Sequence, residues 1–598
     1  MACNYQTSRN NCQGPNMKKI LNRLLQPVLS NIPLFVISIL LMGGFDVGYQ
    51  QYLFHENTSM GIATAYTEII FMAFLICLIS YLCRKKYLKI VFYIILFILY
   101  SLSCYLLYAY SAYITPNILL LLFETNTKEA TGFFETYLTT PAMFKSVVIV
   151  SFLLILTIVG EYFNKRIKTF VSRPICIWSL FVVLMFGIIG GVGAVKRYWD
   201  LIHCKTAYDA ECWKSSYLFY KVMPVSNFCY SMTAIHLAGQ DLYYMINATK
   251  ESLSTIEPVG NDSLNIVLVI GESFNKYHAS LYGYELNTTP FQCEEQSRGN
   301  LYAFKNVKAP HNMTSIVLKN MFCCNDVHEG ERWHDFAFFP ALFKKAGYDV
   351  WLWDNQYQTN PNMAINFTLN SIIFNNEIKE LSYTDYNEQC STYDKELITD
   401  FFQKKGQGLG PHNLIIFHLN GQHRPANSQY PPEKEYQLFS AKDIKNSASY
   451  LNDESRQRIA EYDNATFYND QVIRHITDYI KDKNALLIYF SDHGEEVYDY
   501  RDFLGRSLLE ETEITPELIK YQMEIPFIVW CSDKWKQQHE REWNTIGESI
   551  SREFSIDNTC HILFNLGGIN TKVYNPKRDL FSPEFIPQTK EYDMTNVF

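Results

Sequence analysis

The sequence predicts an α-helical membrane domain of five transmembrane helices, followed by an α/β domain with a mostly parallel sheet. Three observations predict it. Apolar stretches crowd the first 200 of the 598 residues. From residue 263 onward, short continuous apolar runs alternate with helix-patterned segments, as in sheets buried on both faces. Three of those runs end directly in Glu, Asp or His, at the strand ends where open α/β sheets bind ligands.

The membrane candidates lie near residues 30–45, 66–83, 88–109, 145–161 and 174–194. "YLKIVFYIILFILYSLSCYLLY" and "PICIWSLFVVLMFGIIGGVGAV" are long enough to cross a hydrocarbon core as helices. "SNIPLFVISILLMGGF" is short, and its alternative is a buried or interfacial helix. Basic residues fix the count. "MKKILNRLL", "CRKKYLK" and "NKRIKTFVSR" flank the spans, and five crossings put all three on the cytoplasmic side, whereas four or six do not. The connections at 46–65 and 110–144, and everything after about 195, then face outward.

Residues 1–195 are thus expected to be the membrane domain, 196–262 an amphipathic connector and 263–598 a soluble catalytic domain. The connector is rich in aromatic residues and reads equally as an interfacial segment or as ordinary helices packed on the soluble part. The net charge of −9, with no large basic block, argues against a nucleic-acid partner. Of the fifteen cysteines, nine fall in the exported part, where disulfides are compatible with the compartment. No CxxC pair supports a cysteine zinc site.

In the soluble part "LNIVLVI" is a buried strand, "FPALFKKAGYDVWLW" a helix, a glycine stop and a strand, and "HNLIIFHL" another strand. "ATFYNDQVIRHITDYIKD" is a helix, with "NALLIYF" and "EIPFIVWCS" the strands that follow. The suspicious strand ends are "LVIGES" with Glu272, "IIFHLNGQH" with His418 and His423, and "LIYFSDHGEE" with Asp492 and His493. Any one of these is more often a turn with a satisfied side chain. Three together favour a divalent metal, zinc above all, which would compensate a carboxylate placed at a buried strand end.

"GESFNKYHASLYGY", "HNMTSIVLKNMF", "HLNGQHRPANSQYP", "YDNATFYNDQV" and "YFSDHGEEVYD" follow one another in the chain. Together they resemble the membrane phosphoethanolamine transferases, whose soluble domain has the alkaline phosphatase/sulfatase fold. "SLYGY" with "YFSDHGEEVYD" is similar to the branch acting on core heptose phosphate. The resemblance implies an inner-membrane, multi-pass enzyme with a periplasmic catalytic domain and at least one zinc. It implies Glu272, Asp492, His493 and Thr314 as metal ligands, with Thr314 also the nucleophile. The rival nucleophiles are Ser273 and Ser315, and Thr314 reads alternatively as a helix N-cap. His423 would contact the transferred phosphate, although the motif here is "GQH" rather than "GSH"; a capping or core role is its alternative. His418 is expected to pack in its strand, and Asp463 and Asp470 to serve capping and packing. "FETNTKEATGFF" resembles a lipid-binding segment, with Thr125, Asn126 and Glu129 as candidates; a solvated loop explains it equally well. The chain departs from the family in one respect: no histidine lies between Glu496 and Ile525, and Tyr521 stands near its place.

The implied reaction moves phosphoethanolamine from phosphatidylethanolamine to a lipopolysaccharide phosphate, on lipid A or a core heptose, through a phospho-threonine intermediate. Adding an amine lowers surface charge and weakens the binding of cationic peptides such as polymyxin. The alternatives are a phosphoglycerol transferase of the lipoteichoic acid synthase type and a non-catalytic membrane sensor of the same fold. A sulfatase activity is disfavoured by the lack of a C-x-P-x-R motif.

Overall fold

The computed structural model describes residues 24–44, 59–110, 114–116, 119, 141–171, 174–207, 209–210, 213, 224–260, 262–356, 372–406, 408–507 and 514–587. Thr125, Asn126 and Glu129 lie outside the described residues, as does Cys212. The chain divides into two compact units between Leu237 and Ala238.

The first unit is helical, with apolar helices Ile32–Gly43, Ser59–Leu82, Lys86–Tyr110, Pro141–Tyr162 and Pro174–Ile202 at the five expected places. Among the described residues three are long and apolar enough to span a membrane, at Lys86–Leu106, Met143–Tyr162 and Ile177–Ile202; two more, Ile32–Gly43 and Tyr66–Leu82, are shorter apolar helices. Large apolar side chains such as Ile95, Ile98, Phe152, Phe186 and Ile189 point outward from the long helices. A water-facing helix would carry polar residues there; a lipid-facing one carries these. Glycines let two of the helices approach closely. A β-carbon at Gly187 would stand 2.7 Å from Ile70, and one at Gly190 would stand 2.5 Å from Thr67.

The second unit is built on a seven-stranded sheet. Its strands are β1 (Leu264–Gly271), β2 (Leu301–Phe304), β3 (Asp349–Asp354), β4 (Asp385–Tyr386), β5 (His412–His418), β6 (Ala485–Ser491) and β7 (Phe527–Cys531), in the spatial order β2-β7-β6-β1-β5-β3-β4. The run from β6 to β4 is parallel, and β7 and β2 close the other edge antiparallel. The expected strands all form, and the reason is the one read from their continuous hydrophobicity. Along β1, Ile266, Leu268 and Ile270 enter one core while Val267 and Val269 enter another on the opposite face. Both faces are covered, so neither needs polar residues.

Helices cover those faces. Phe339–Ala346 stops at Gly347, whose φ of 103° is the left-handed cap that glycine adopts freely. The long helix Asp453–Ile480 begins at Asn452, whose side chain accepts from Ser455 N. No disulfide joins any two of the described cysteines.

Candidate metal and nucleophile site

β1 and β6 are parallel and in register, with Gly271 beside Ser491. The next residue on each strand, Glu272 and Asp492, is therefore delivered to the same point above the sheet. Both are fully buried, and so is His493. Backbone bonds lock the two strand ends together: Asp492 N donates to Gly271 O at 3.0 Å and Ser273 N to Asp492 Oδ1 at 3.1 Å. Ser273 takes a left-handed φ of 57°, the sharp turn that lets the chain leave the strand immediately after the carboxylate.

His493 Nε2 stands 3.2 Å from both Glu272 Oε1 and Asp492 Oδ2. Its other nitrogen, Nδ1, is 2.8 Å from Gly494 O. A backbone carbonyl at Nδ1 holds a proton there and turns Nε2 toward the carboxylates, the orientation usual for a metal-bound histidine. Burial works against ionisation of Glu272, yet the neighbouring His493 holds it well below the usual carboxylate range. Burial, together with the charge of Glu272, pushes Asp492 up to about 7. Two adjacent buried carboxylates thus cannot both ionise without a further cation.

The donor set fits a metal. Ligand atoms of Glu272, Asp492 and His493 lie within 4.8 Å of one another. Asp492 Oδ2 is buried with no hydrogen-bond partner, an orphaned acceptor facing that group. Two carboxylates and one imidazole suit zinc.

Thr314 opens the helix Thr314–Phe322. Met313 is its N-cap and no side chain caps it, so the Thr314 hydroxyl is left for other partners. It donates to Glu272 Oε2 at 3.0 Å and lies 3.2 Å from His493 Nε2. The rival Ser273 is close as well, but its hydroxyl is turned to Glu272 Oε1 at 2.6 Å. The four residues Glu272, Thr314, Asp492 and His493, read separately from the sequence, stand together.

His423 sits on the exposed loop after β5, where it contributes a favourable charge interaction to Glu272. His418 is more than strand packing. It is buried at the end of β5, opposite Asp354 at the end of β3, and its Nδ1 is 2.9 Å from Asp354 Oδ2. Asp463 and Asp470 are structural, as expected. Asp463 bonds His278 and Tyr284, and Asp470 accepts from Phe291 N and Gln292 N at the start of the helix Pro290–Ser297. Tyr521, near the place of the absent histidine, stacks on Tyr500 at 5.6 Å.

Sequence reading missed two residues. Gln356 donates to Glu272 Oε2 at 3.0 Å and to Leu419 O at 2.8 Å. It lies two residues past the end of β3, where Glu272 lies one past β1, so a strand-end rule widened by one residue could have found it. Arg506 places Nη1 2.6 Å from His493 Nε2 and 2.9 Å from Asn312 O, and its Nε 3.2 Å from Glu495 Oε2. It lies just beyond a two-residue strand, Leu504–Gly505, and no local pattern marks it.

The family model described as Sulfatase matches residues 264–567, just over half the chain. The chain belongs to the sulfatase family, among its membrane phosphoethanolamine transferases. A second model, "Phosphoethanolamine transferase EptA/EptB", matches residues 71–199. Phosphoethanolamine transferase EptC of Escherichia coli (strain K12) is 27% identical over 84% of each chain. Phosphoethanolamine transferase CptA of Salmonella typhimurium is 25% identical over 82% of this chain and 81% of its own. A crystal structure of the C-terminal periplasmic domain of EptC from Escherichia coli, in complex with Zn, is 28% identical, covers 56% of this chain and 94% of that one, and has a TM-score of 0.46. The transferase is an enzyme, and its relatives are named for the group they transfer.

Proposed function

We propose that this chain transfers phosphoethanolamine from phosphatidylethanolamine to a phosphate of lipopolysaccharide, on lipid A or a core heptose, through a phospho-threonine intermediate. The observation that carries the reading is the Thr314 hydroxyl bonded to Glu272 within 3.2 Å of His493 Nε2, at the N-terminus of a helix. An anionic phosphate is favoured at such a terminus. The names of relatives support the group transferred and the acceptor class, among them a Kdo(2)-lipid A phosphoethanolamine 7''-transferase.

Glu272, Asp492 and His493 would hold zinc, with Thr314 as a fourth ligand. Bound there, zinc supplies a Lewis acid that lowers the cost of ionising the hydroxyl. The proton of Thr314 leaves along its bond to Glu272 Oε2. The Thr314 oxygen forms a bond to phosphorus as the bond from phosphorus to the diacylglycerol oxygen breaks, and diacylglycerol departs with a proton. The acceptor phosphate then displaces Thr314 from the phosphorus and restores the hydroxyl. Arg506 and His423, both basic and both near Glu272, offset charge on the phosphoryl oxygens. Thr125, Asn126 and Glu129 are proposed to meet the lipid. We assign residues 1–195 to five membrane spans, 196–262 to the connector and 263–598 to a periplasmic catalytic domain at the inner membrane.

Mass spectrometry of lipid A and core oligosaccharide from cells expressing the chain tests this, with Thr314→Ala beside it. A phosphoethanolamine adduct that vanishes in the variant supports the reaction and locates the acceptor. A phosphoglycerol adduct, or no adduct from folded, zinc-loaded protein, overturns it.

A further inference from the structure

A second cluster of metal-type donors lies at the far end of the Thr314–Phe322 helix. Asp326, His328 and Asp557 each offer one ligand atom, and those atoms lie within 4.8 Å of one another. Asp326 and Asp557 are buried and His328 is half-buried. They come from two segments remote in sequence: the 3-10 turn Val327–Glu329, which Asp326 caps, and the 3-10 turn Ile556–Asn558. The second turn packs against the Thr314–Phe322 helix.

Hydrogen bonds between protein groups do not account for the whole cluster. Asp557 Oδ2 accepts from Val327 N at 2.9 Å and the Ser555 hydroxyl lies against the carboxylate, but no well-formed hydrogen bond reaches the buried Asp557 Oδ1. Asn558 reaches Asp326 Oδ2 through its Nδ2 at 3.3 Å and leaves its own Oδ1 buried and without a partner. Orphaned buried oxygens of this kind are rare in folded proteins and call for an occupant. Charge points the same way. Asp326, Glu331 and Asp557 bring three carboxylates, while the facing cation is Arg578, bound through both Nη atoms to Glu331 and 3.5 Å from Asp326 Oδ2.

We propose that Asp326, His328 and Asp557 form a divalent-cation site, separate from the nucleophile site, that fastens the C-terminal end of the helix carrying Thr314. Two carboxylates with one imidazole suit a first-row cation such as zinc better than calcium. The helix that runs between them has nine residues, a length of about 13 Å at ~1.5 Å per residue. A cation at this end also meets the negative pole of the helix. One site would then tension each end of the same short helix, the first reading its hydroxyl and the second its exit.

The test counts zinc. Full-length protein in detergent is stripped with chelator, reloaded with Zn²⁺, desalted and assayed for metal per chain. The expected result is two equivalents for the native protein, one for Glu272→Gln, one for Asp557→Asn or His328→Ala, and none for Glu272→Gln combined with His328→Ala. Circular dichroism checks each variant. Half-buried His328 gives the same reading if Asp557→Asn does not fold. The proposal is overturned if folded Glu272→Gln binds no zinc. It is equally overturned if His328→Ala leaves the zinc count of the native protein unchanged.

Discussion

Gly421 lies against the backbone of Glu272. Its φ is 51°, and a β-carbon added to it would stand 2.7 Å from both the N and the O of Glu272. The loop after β5 can pass over the end of β1 only because this residue has no side chain. Gln422 N then donates to Glu272 O at 3.0 Å.

Gly421→Ala is therefore expected to push Glu272 out of place rather than to unfold the chain. A left-handed non-glycine residue costs roughly 1–2 kcal/mol, and a shift of about 1 Å at a reacting group costs on the order of 100-fold in rate. Turnover and zinc affinity should both fall in a variant that still melts cooperatively. Native turnover would show that the contact does not position Glu272.

Thr314→Ala should lower transfer at least about a thousandfold, because it removes the hydroxyl proposed to bond to phosphorus. Thr314→Ser should retain part of the activity. Ser273→Ala should keep most of it, since it is the Thr314 hydroxyl that opens a helix and lies 3.2 Å from His493 Nε2. Peptide mapping after rapid quenching should find the added phosphoethanolamine mass on the peptide holding Thr314. Mass on the Ser273 peptide instead would reverse the assignment.

Arg506 brings a guanidinium to His493 and is anchored by buried Glu495. Arg506→Ala should lower kcat/KM by about 100-fold, the usual scale for losing one charge-stabilising donor. Arg506→Lys should recover only part, because a lysine cannot bridge the same partners. If Ala at 506 leaves kcat/KM within twofold, the residue only props the loop.

His278 supplies a pH dependence of stability. Its Nδ1 is 2.7 Å from Asp463 Oδ1, with Asp499 at 3.5 Å from Nε2. Burial opposes its charge, but Asp463 lifts it to about 10. Burial lifts Asp463 as well, so the pair is held by a proton, which we place on His278 because two carboxylates face it. A raised histidine contributes stability in full below its unfolded value of about 6.5 and loses it as pH climbs toward the folded value. Tm should fall between pH 7 and pH 10. His278→Gln should cost about 3–5 kcal/mol at pH 7 and flatten that fall; an equally steep fall in the variant would place the titration elsewhere.

The sheet was legible because its strands are continuous apolar runs, a pattern that burial on both faces demands. Glu272, Asp492 and His493 were legible because three apolar runs end in Glu, Asp or His, a coincidence that a single satisfied turn does not explain. Thr314 was not legible from physics: at the start of a helix it looked like a cap, and only the order of motifs singled it out. Arg506 escaped because a guanidinium at a loop position is ordinary until its partners are seen, and Gln356 because the strand ends were searched only for carboxylates and histidines. Asp326 and Asp557 escaped for a different reason, since 230 positions separate Asp557 from the Val327 N–H it binds, and only the folded chain joins them.

The in-register pairing of β1 with β6 has a consequence for how such an enzyme diversifies. Glu272 and Asp492 hang from the two central strands, whose amides should exchange with solvent only on global unfolding. His423, Arg506 and the Tyr500–Tyr521 stack hang from peripheral loops. The proposed metal ligands and the proposed substrate-facing groups thus hang from separate parts of the backbone. A loop graft between related transferases that keeps Arg506 and His423 in place should change which acceptor is decorated while the phosphoryl chemistry is carried over.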